Sequence, residues 1–296
     1  MYGAFAPLVG ALITIMGLVN ARFSDIAGTV TATLVVHATG LVAVTVLLAA
    51  TREKRRPGAL PPYYYLGGVL GVGTVFATMY SFSALGASLA VALALLGQAL
   101  CSVVIDSTGF LGRTVYPLSL RRVPGLLLAV AGVAVMAGAW RSNAPALLAG
   151  LVAGVIPGLT FALNSELGRR KGIFHSTLVN YVTGLATTAV IAAFLRPVAG
   201  PALASVAAAG PVLALGGGLL GVTVVASMNF IFPRIPAFSA TLLLFAGQAL
   251  SGVVIDWIVD GVFDIRKLIG TLLVLSGLGL DTLLTRRART RRPGAA

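Results

Sequence analysis

Apolar stretches of about 18 to 23 residues, each long enough to cross ~30 Å of hydrocarbon as a helix, follow one another along nearly the whole chain. Inside hydrocarbon a segment must satisfy its own backbone hydrogen bonds, and a helix does so. Ten such spans can be delimited, at roughly 2–20, 28–50, 63–82, 86–108, 123–140, 145–165, 173–195, 211–231, 237–258 and 268–285. Of the 296 residues, 58% are hydrophobic and 10% charged, and the mean hydropathy of +0.99 lies far outside the range of soluble domains. The expected class is an all-α integral membrane protein with ten transmembrane helices, multi-pass in the cell inner (cytoplasmic) membrane, with almost nothing left for a soluble domain. The first span has no basic segment before it and nine more spans after it, so it reads as a retained helix rather than a cleaved signal peptide.

The chain repeats itself. GQALCSVVID at 97–106 returns as GQALSGVVID at 247–256, and GGVLGV at 67–72 returns as GGLLGV at 217–222. Nearer the start, the Asn, Gly, TLV and TGL of the segment from Asn20 recur in the segment from Asn164. The offset is 144 residues there, 150 further on, and 145 where RRVPG at 121 meets RKLIG at 266, so the insertions fall in loops. Each half holds five spans. An odd number places the second half upside down relative to the first, giving two inverted five-helix repeats over 1–143 and 144–285, then a basic cytoplasmic tail over 286–296.

The formal charge of +13 is compatible with nucleic-acid binding only if the basic residues form a surface, and here they flank the spans. With the N-terminus in the cytoplasm, the inside loops carry the TREKRR run, Arg113, Arg121, Arg122, Arg169, Arg170, Lys171, Arg234 and the tail arginines. The outside keeps Arg22, Arg141, Arg196, Arg266 and Lys267. The positive-inside rule therefore puts both termini in the cytoplasm and excludes a nucleic-acid partner; the bias also flips between the halves. Inverted repeats of this kind are the architecture of secondary transporters.

Polar groups inside the spans are the candidate site. Gln98 and Gln248 fall near the midplane, where an unpartnered amide is costly; they either bond between helices or face a substrate cavity. Asp106 and Asp256 follow eight residues later, near helix C-termini that repel negative charge, and Gln98, Ser102 and Asp106 share one stripe. These acids read either as gating or proton-coupling groups, one per face, or as interfacial salt bridges to Arg121, Arg122, Arg266 or Lys267. His37 titrates near neutral pH and is a candidate for proton coupling; its counterpart is Tyr181, and Asn180 lies beside it. Asn20 and Asn164 line a cavity mouth or cap the ends of spans one and six. The threonines at 33, 39, 177 and 183 can bond their own helix backbone. GxxxG at 67–71 and 217–221 marks close packing. The lone Cys101 excludes an internal disulfide framework and a cysteine metal cluster, and no cofactor is expected.

The tandem five-helix halves, the Asn closing the first span, the TGL of the second and the GQALxxVVID block of the fourth resemble the YdcZ-like family of inner-membrane exporters, within the drug/metabolite transporter superfamily. The resemblance implies ten helices, both termini inside, and a central cavity reached by alternating access. It also implies that spans one, three, four, six, eight and nine line that cavity, with five and ten in support. The glutamate that small multidrug members use in their first span has no equivalent here, since spans one and six carry no acid at their centres.

The function expected is carriage of a small neutral or zwitterionic organic solute by a monomer or homodimer in the lipid bilayer. A lipid flippase or scramblase is the rival. No charged ring or carbonyl filter points to a channel, and no HExxH, GxSxG or Walker A motif points to an enzyme or an ATP motor.

Overall fold

A computed structural model describes residues 5–54, 56–108, 123–137, 143–195, 199–231, 237–261 and 263–290. All regular structure among them is helical. The α-helices are α1 (Phe5–Ala27), α2 (Thr29–Thr51), α3 (Gly67–Leu85), α4 (Ala87–Thr108), α5 (Val123–Ala137), α6 (Ala144–Lys171), α7 (Ile173–Leu195), α8 (Ala199–Ile231), α9 (Ala237–Asp260) and α10 (Ile265–Thr290). A short 3-10 turn, Pro62–Leu66, leads into α3.

Among the described residues, six segments are long and apolar enough to cross a bilayer: Phe5–Ala27, Thr29–Thr51, Pro62–Leu85, Ile173–Leu195, Leu203–Met228 and Leu243–Asp260. The apolar parts of α4, α5 and α6 are shorter. Large apolar side chains lie outside the bundle, among them Phe194 at 84% and Ile258 at 73% exposure. Such a surface would aggregate in water, and lipid satisfies it.

Three boundaries differ from expectation. Helix α1 runs to Ala27 and α6 to Lys171, so Asn20 and Asn164 sit about two turns inside their helices and cap neither. The stops are Gly28 and Gly172, at φ 78° and 112°, equivalent positions 144 residues apart whose left-handed backbone favours glycine. The eighth span was expected from 211, yet helix begins at Ala199 and breaks at Gly210, φ 76°, where Pro211 opens the next segment.

The halves pack through matching contacts. A Cβ on Gly154 of α6 would collide with the Ala94 carbonyl of α4, and one on Gly10 of α1 would collide with the Leu244 carbonyl of α9. Those pairs are related by the 144 and 150 offsets of the sequence. In the same way Gly68 of α3 meets Asn180 and Gly184 of α7, while Gly218 of α8 meets Val36 and Gly40 of α2. Equivalent helices then face each other: Gly132 of α5 meets Gly270 and Val274 of α10, and Gly277 of α10 meets Gly125 and Ala129 of α5. Low numbers on one meet high numbers on the other, so α5 and α10 pass antiparallel, as do α2 and α7 through Gly40 with Tyr181 and Gly184 with His37. A buried cluster from α4, α8, α9 and α10, including Leu95, Val224, Phe245 and Val274, ties the centre together.

Candidate functional site

A cavity of about 200 Å³ lies at the centre of the bundle. Its wall takes residues from α1, α2, α3, α4, α6, α7, α8 and α9, so α2 and α7 join the six helices implied by the family resemblance, while α5 and α10 contribute none. Gln98, Gln248, His37, Tyr181, Asn180, Asn20 and Asn164 all border it. No Asp, Glu, Lys or Arg does so among the described residues.

The amides divide into spent and unspent. Asn164 donates its Nδ2 to Asn180 Oδ1 at 2.9 Å, and Ser176 Oγ donates to the Asn164 carbonyl at 2.8 Å, so that corner is internally bonded. The position equivalent to Asn180 in the first half is Val36. Asn20, 4% exposed, consequently lacks this partner, and its Oδ1 is buried with no hydrogen bond, packed on Gly217. The side-chain amides of Gln98 and Gln248 form no hydrogen bond among the described residues; Gln248 engages neighbours only through its carbonyl, which accepts from Thr14 Oγ1 at 3.0 Å. Among the described residues neither glutamine amide bonds to another helix, and both residues border the cavity.

His37 Nδ1 lies 2.8 Å from the Thr33 carbonyl one turn back. Its ring meets Tyr181 edge-on, centroids 5.9 Å apart, at the antiparallel crossing of α2 and α7. Thr33, Thr177 and Thr183 bond backwards to Thr29, Ile173 and Val179 carbonyls, the local satisfaction expected of them. Pro157, inside α6, also lines the cavity. Having no N–H, it leaves the Ala153 carbonyl without its usual helical donor.

Asp256 does not reach the cavity wall. It is 5% exposed and caps α4: Ala87 N donates to Oδ1 at 2.7 Å, Ser88 N to Oδ2 at 3.1 Å, and Ser88 Oγ also to Oδ2. Lys267 Nζ lies 2.9 Å from Oδ2 and also pairs with Asp260. A carboxylate at a helix N-terminus is favoured by the backbone dipole, which offsets the position of Asp256 near the end of its own helix. Asp106 is in the last turns of α4, but its side chain lies outside the described residues, as do Arg113, Arg121, Arg122, Arg141, Arg196, Arg234 and residues 291–296.

One group was hidden by its neighbours. Glu53, inside the basic TREKRR run, caps α7 with both oxygens: Ile173 N donates to Oε1 and Phe174 N to Oε2, each at 2.9 Å. His175 Nδ1 lies 3.1 Å from Oε2. Lys171 Nζ donates to the Arg56 and Gly58 carbonyls and Arg56 donates to the Arg169 carbonyl, strapping this loop across the α6–α7 turn. The one acid in a run of bases is the only trace of this cap in the local sequence. Glu53 of the first half thus caps a helix of the second, and Asp256 of the second caps a helix of the first, at opposite ends of the bundle.

A search of curated proteins finds no match. Among solved structures, one crystal structure covers 97% of this chain and 97% of its own, at 18% identity and a TM-score of 0.58, which shows a shared fold. The profile of a family described as "Putative inner membrane exporter, YdcZ" matches twice in tandem, over residues 1–135 and 145–280. The matched segments coincide with the two halves whose contacts mirror each other, and the chain belongs to this family of membrane exporters, in its tandem form.

Proposed function

We propose that the chain is a secondary transporter that carries a small neutral or zwitterionic organic solute across the cytoplasmic membrane by alternating access, outward as the family description has it. In this reading all ten helices span the bilayer, both termini are cytoplasmic, and residues 144–285 form an inverted copy of residues 1–143. The antiparallel crossings of α2 with α7 and α5 with α10 support the inversion. The observation that carries the reading is the central cavity, bordered by both halves and by amides, a phenol and an imidazole, with no charged side chain among the described residues. Two halves that share a site at their interface can rock about it and expose it to either face. His37 is the cavity group available for proton coupling, and Gln98, Gln248, Asn20, Asn164, Asn180 and Tyr181 are the proposed substrate ligands.

The volume selects among substrates. A drug-sized ligand needs roughly 300 to 1,000 Å³. The cavity's 200 Å³ lies below that range and suits a small metabolite rather than a lipid or bulky drug. Proteoliposomes loaded with labelled metabolites test this. Carrier activity requires saturable efflux and counterflow of at least one small solute; movement of phospholipid alone would assign the chain to flippase chemistry.

A further inference from the structure

The cavity is lopsided, and one pair of residues shows how. His37 and Tyr181 occupy equivalent places on α2 and α7, each ring packed on a glycine of the other helix, Tyr181 on Gly40 and His37 on Gly184. The phenol is the longer side chain. Its hydroxyl lies over Gly221 of α8, where a Cβ would strike it, whereas the imidazole leaves the equivalent Gly71 of α3 clear, and a Cβ there would meet nothing within 4 Å. Gly71 borders the cavity, so there is a notch on one side of the pseudo-twofold axis and none on the other.

The chemistry of the notch follows from the histidine. A carbonyl oxygen only accepts, so the 2.8 Å contact with Thr33 fixes the proton on Nδ1, and in the neutral ring Nε2 offers a lone pair. No group hydrogen-bonds to Nε2 among the described residues. In the second half the Tyr181 O–H fills the space against Gly221; in the first half the matching space awaits an O–H or N–H from elsewhere. The geometry points to a ligand subsite over Gly71, in which His37 Nε2 accepts a hydrogen bond from a hydroxyl or N–H of an uncharged solute. A zwitterion would bury both its charges beside a wall that carries no charged side chain among the described residues, which disfavours it. This inference rests on the carrier reading and adds the substrate's chemistry and its off-axis seat.

The test uses the full chain in proteoliposomes as wild type, Gly71→Ala and His37→Tyr. The probes are labelled erythritol, uracil and nicotinamide, their fully methylated donor-free counterparts, and the zwitterions alanine and glycine betaine. Wild type is expected to carry at least one donor-bearing uncharged solute and to carry its methylated counterpart about tenfold more slowly, the worth of one buried neutral hydrogen bond. His37→Tyr makes the halves alike and fills the notch, and Gly71→Ala places a methyl in it; each should cut that rate about tenfold or more with insertion and thermal unfolding unchanged. Because Gly71→Ala has open space around it, the test survives a misfolded His37→Tyr. Transport within twofold of wild type in folded variants, or preference for the donor-free or zwitterionic probes, overturns the subsite and leaves the carrier standing. If wild type carries none of the probes while phospholipid moves, the carrier reading itself falls and the subsite with it.

Discussion

At the scale of single residues, polar atoms at membrane depth were legible because the surrounding sequence is so apolar. Gln98, Gln248, His37, Asn20 and Asn164 stand out in any hydropathy reading, and all border one cavity. Gly71 was not legible as a site residue, because its contribution is the space it leaves. Since neither glutamine amide bonds to another helix among the described residues, Gln98→Ala and Gln248→Ala lose no hydrogen bond and should each cost only about 1 kcal/mol, for the side-chain packing removed, more at the buried Gln248 than at Gln98. Transport should nevertheless fall about tenfold in each, which thermal unfolding and proteoliposome efflux measure separately. Asp256 is the opposite case. Removing it leaves two backbone donors of α4 and the Ser88 hydroxyl without their buried acceptor, while Lys267 keeps Asp260, so Asp256→Ala should destabilise by about 1 to 3 kcal/mol in chemical unfolding, and Asp256→Asn by less. Near the end of α6 the Arg169 guanidinium, with Arg170 behind it, holds the Glu166 carboxyl down at about 2 against the effect of its partial burial. A depressed carboxylate stabilises the fold above its ordinary value of 4.5 and loses that contribution as pH falls toward 2. Glu166→Gln should therefore be slightly less stable than wild type at pH 7, by ~0.5 kcal/mol or less, with the difference vanishing as the pH approaches 2.

Among the elements, helix existence was legible from hydropathy, while helix ends were not. The polar residues Asn20 and Asn164 look like termini, yet the backbone continues to Gly28 and Gly172, whose positive φ rather than polarity decides the stop. Contact between helices depends on small residues that let backbones touch, as in other helix pairs packed without water. Two such contacts at equivalent positions, Gly154 on Ala94 and Gly10 on Leu244, join α6 to α4 and α1 to α9. Gly154→Val should force α4 and α6 apart at a cost of about 1 to 3 kcal/mol or more, seen as a lowered unfolding midpoint. Gly71→Ala, in open space, should leave that midpoint unchanged. The caps supplied by Glu53 and Asp256 were opaque to sequence because each joins an acid of one half to a helix of the other, some 120 to 170 residues away.

For the molecule as a whole, the repeat in the sequence foretold the repeat in the contacts, because a duplicated segment carries its packing residues with it. Two matches to one family profile and the paired glycine contacts agree on the same division. Where the halves have diverged, at 36 with 180 and 37 with 181, the cavity loses its symmetry, and a ligand without twofold symmetry can be bound in one orientation. The account depends on the halves lying in the membrane with opposite polarity. Arg22 and Glu166 are equivalent positions 144 residues apart, and Cys101→Ala provides a background without other thiols. In that background Arg22→Cys should react with a membrane-impermeant maleimide in intact cells, and Glu166→Cys only after permeabilisation. Labelling of both from the same side would contradict the inverted architecture and the carrier built on it.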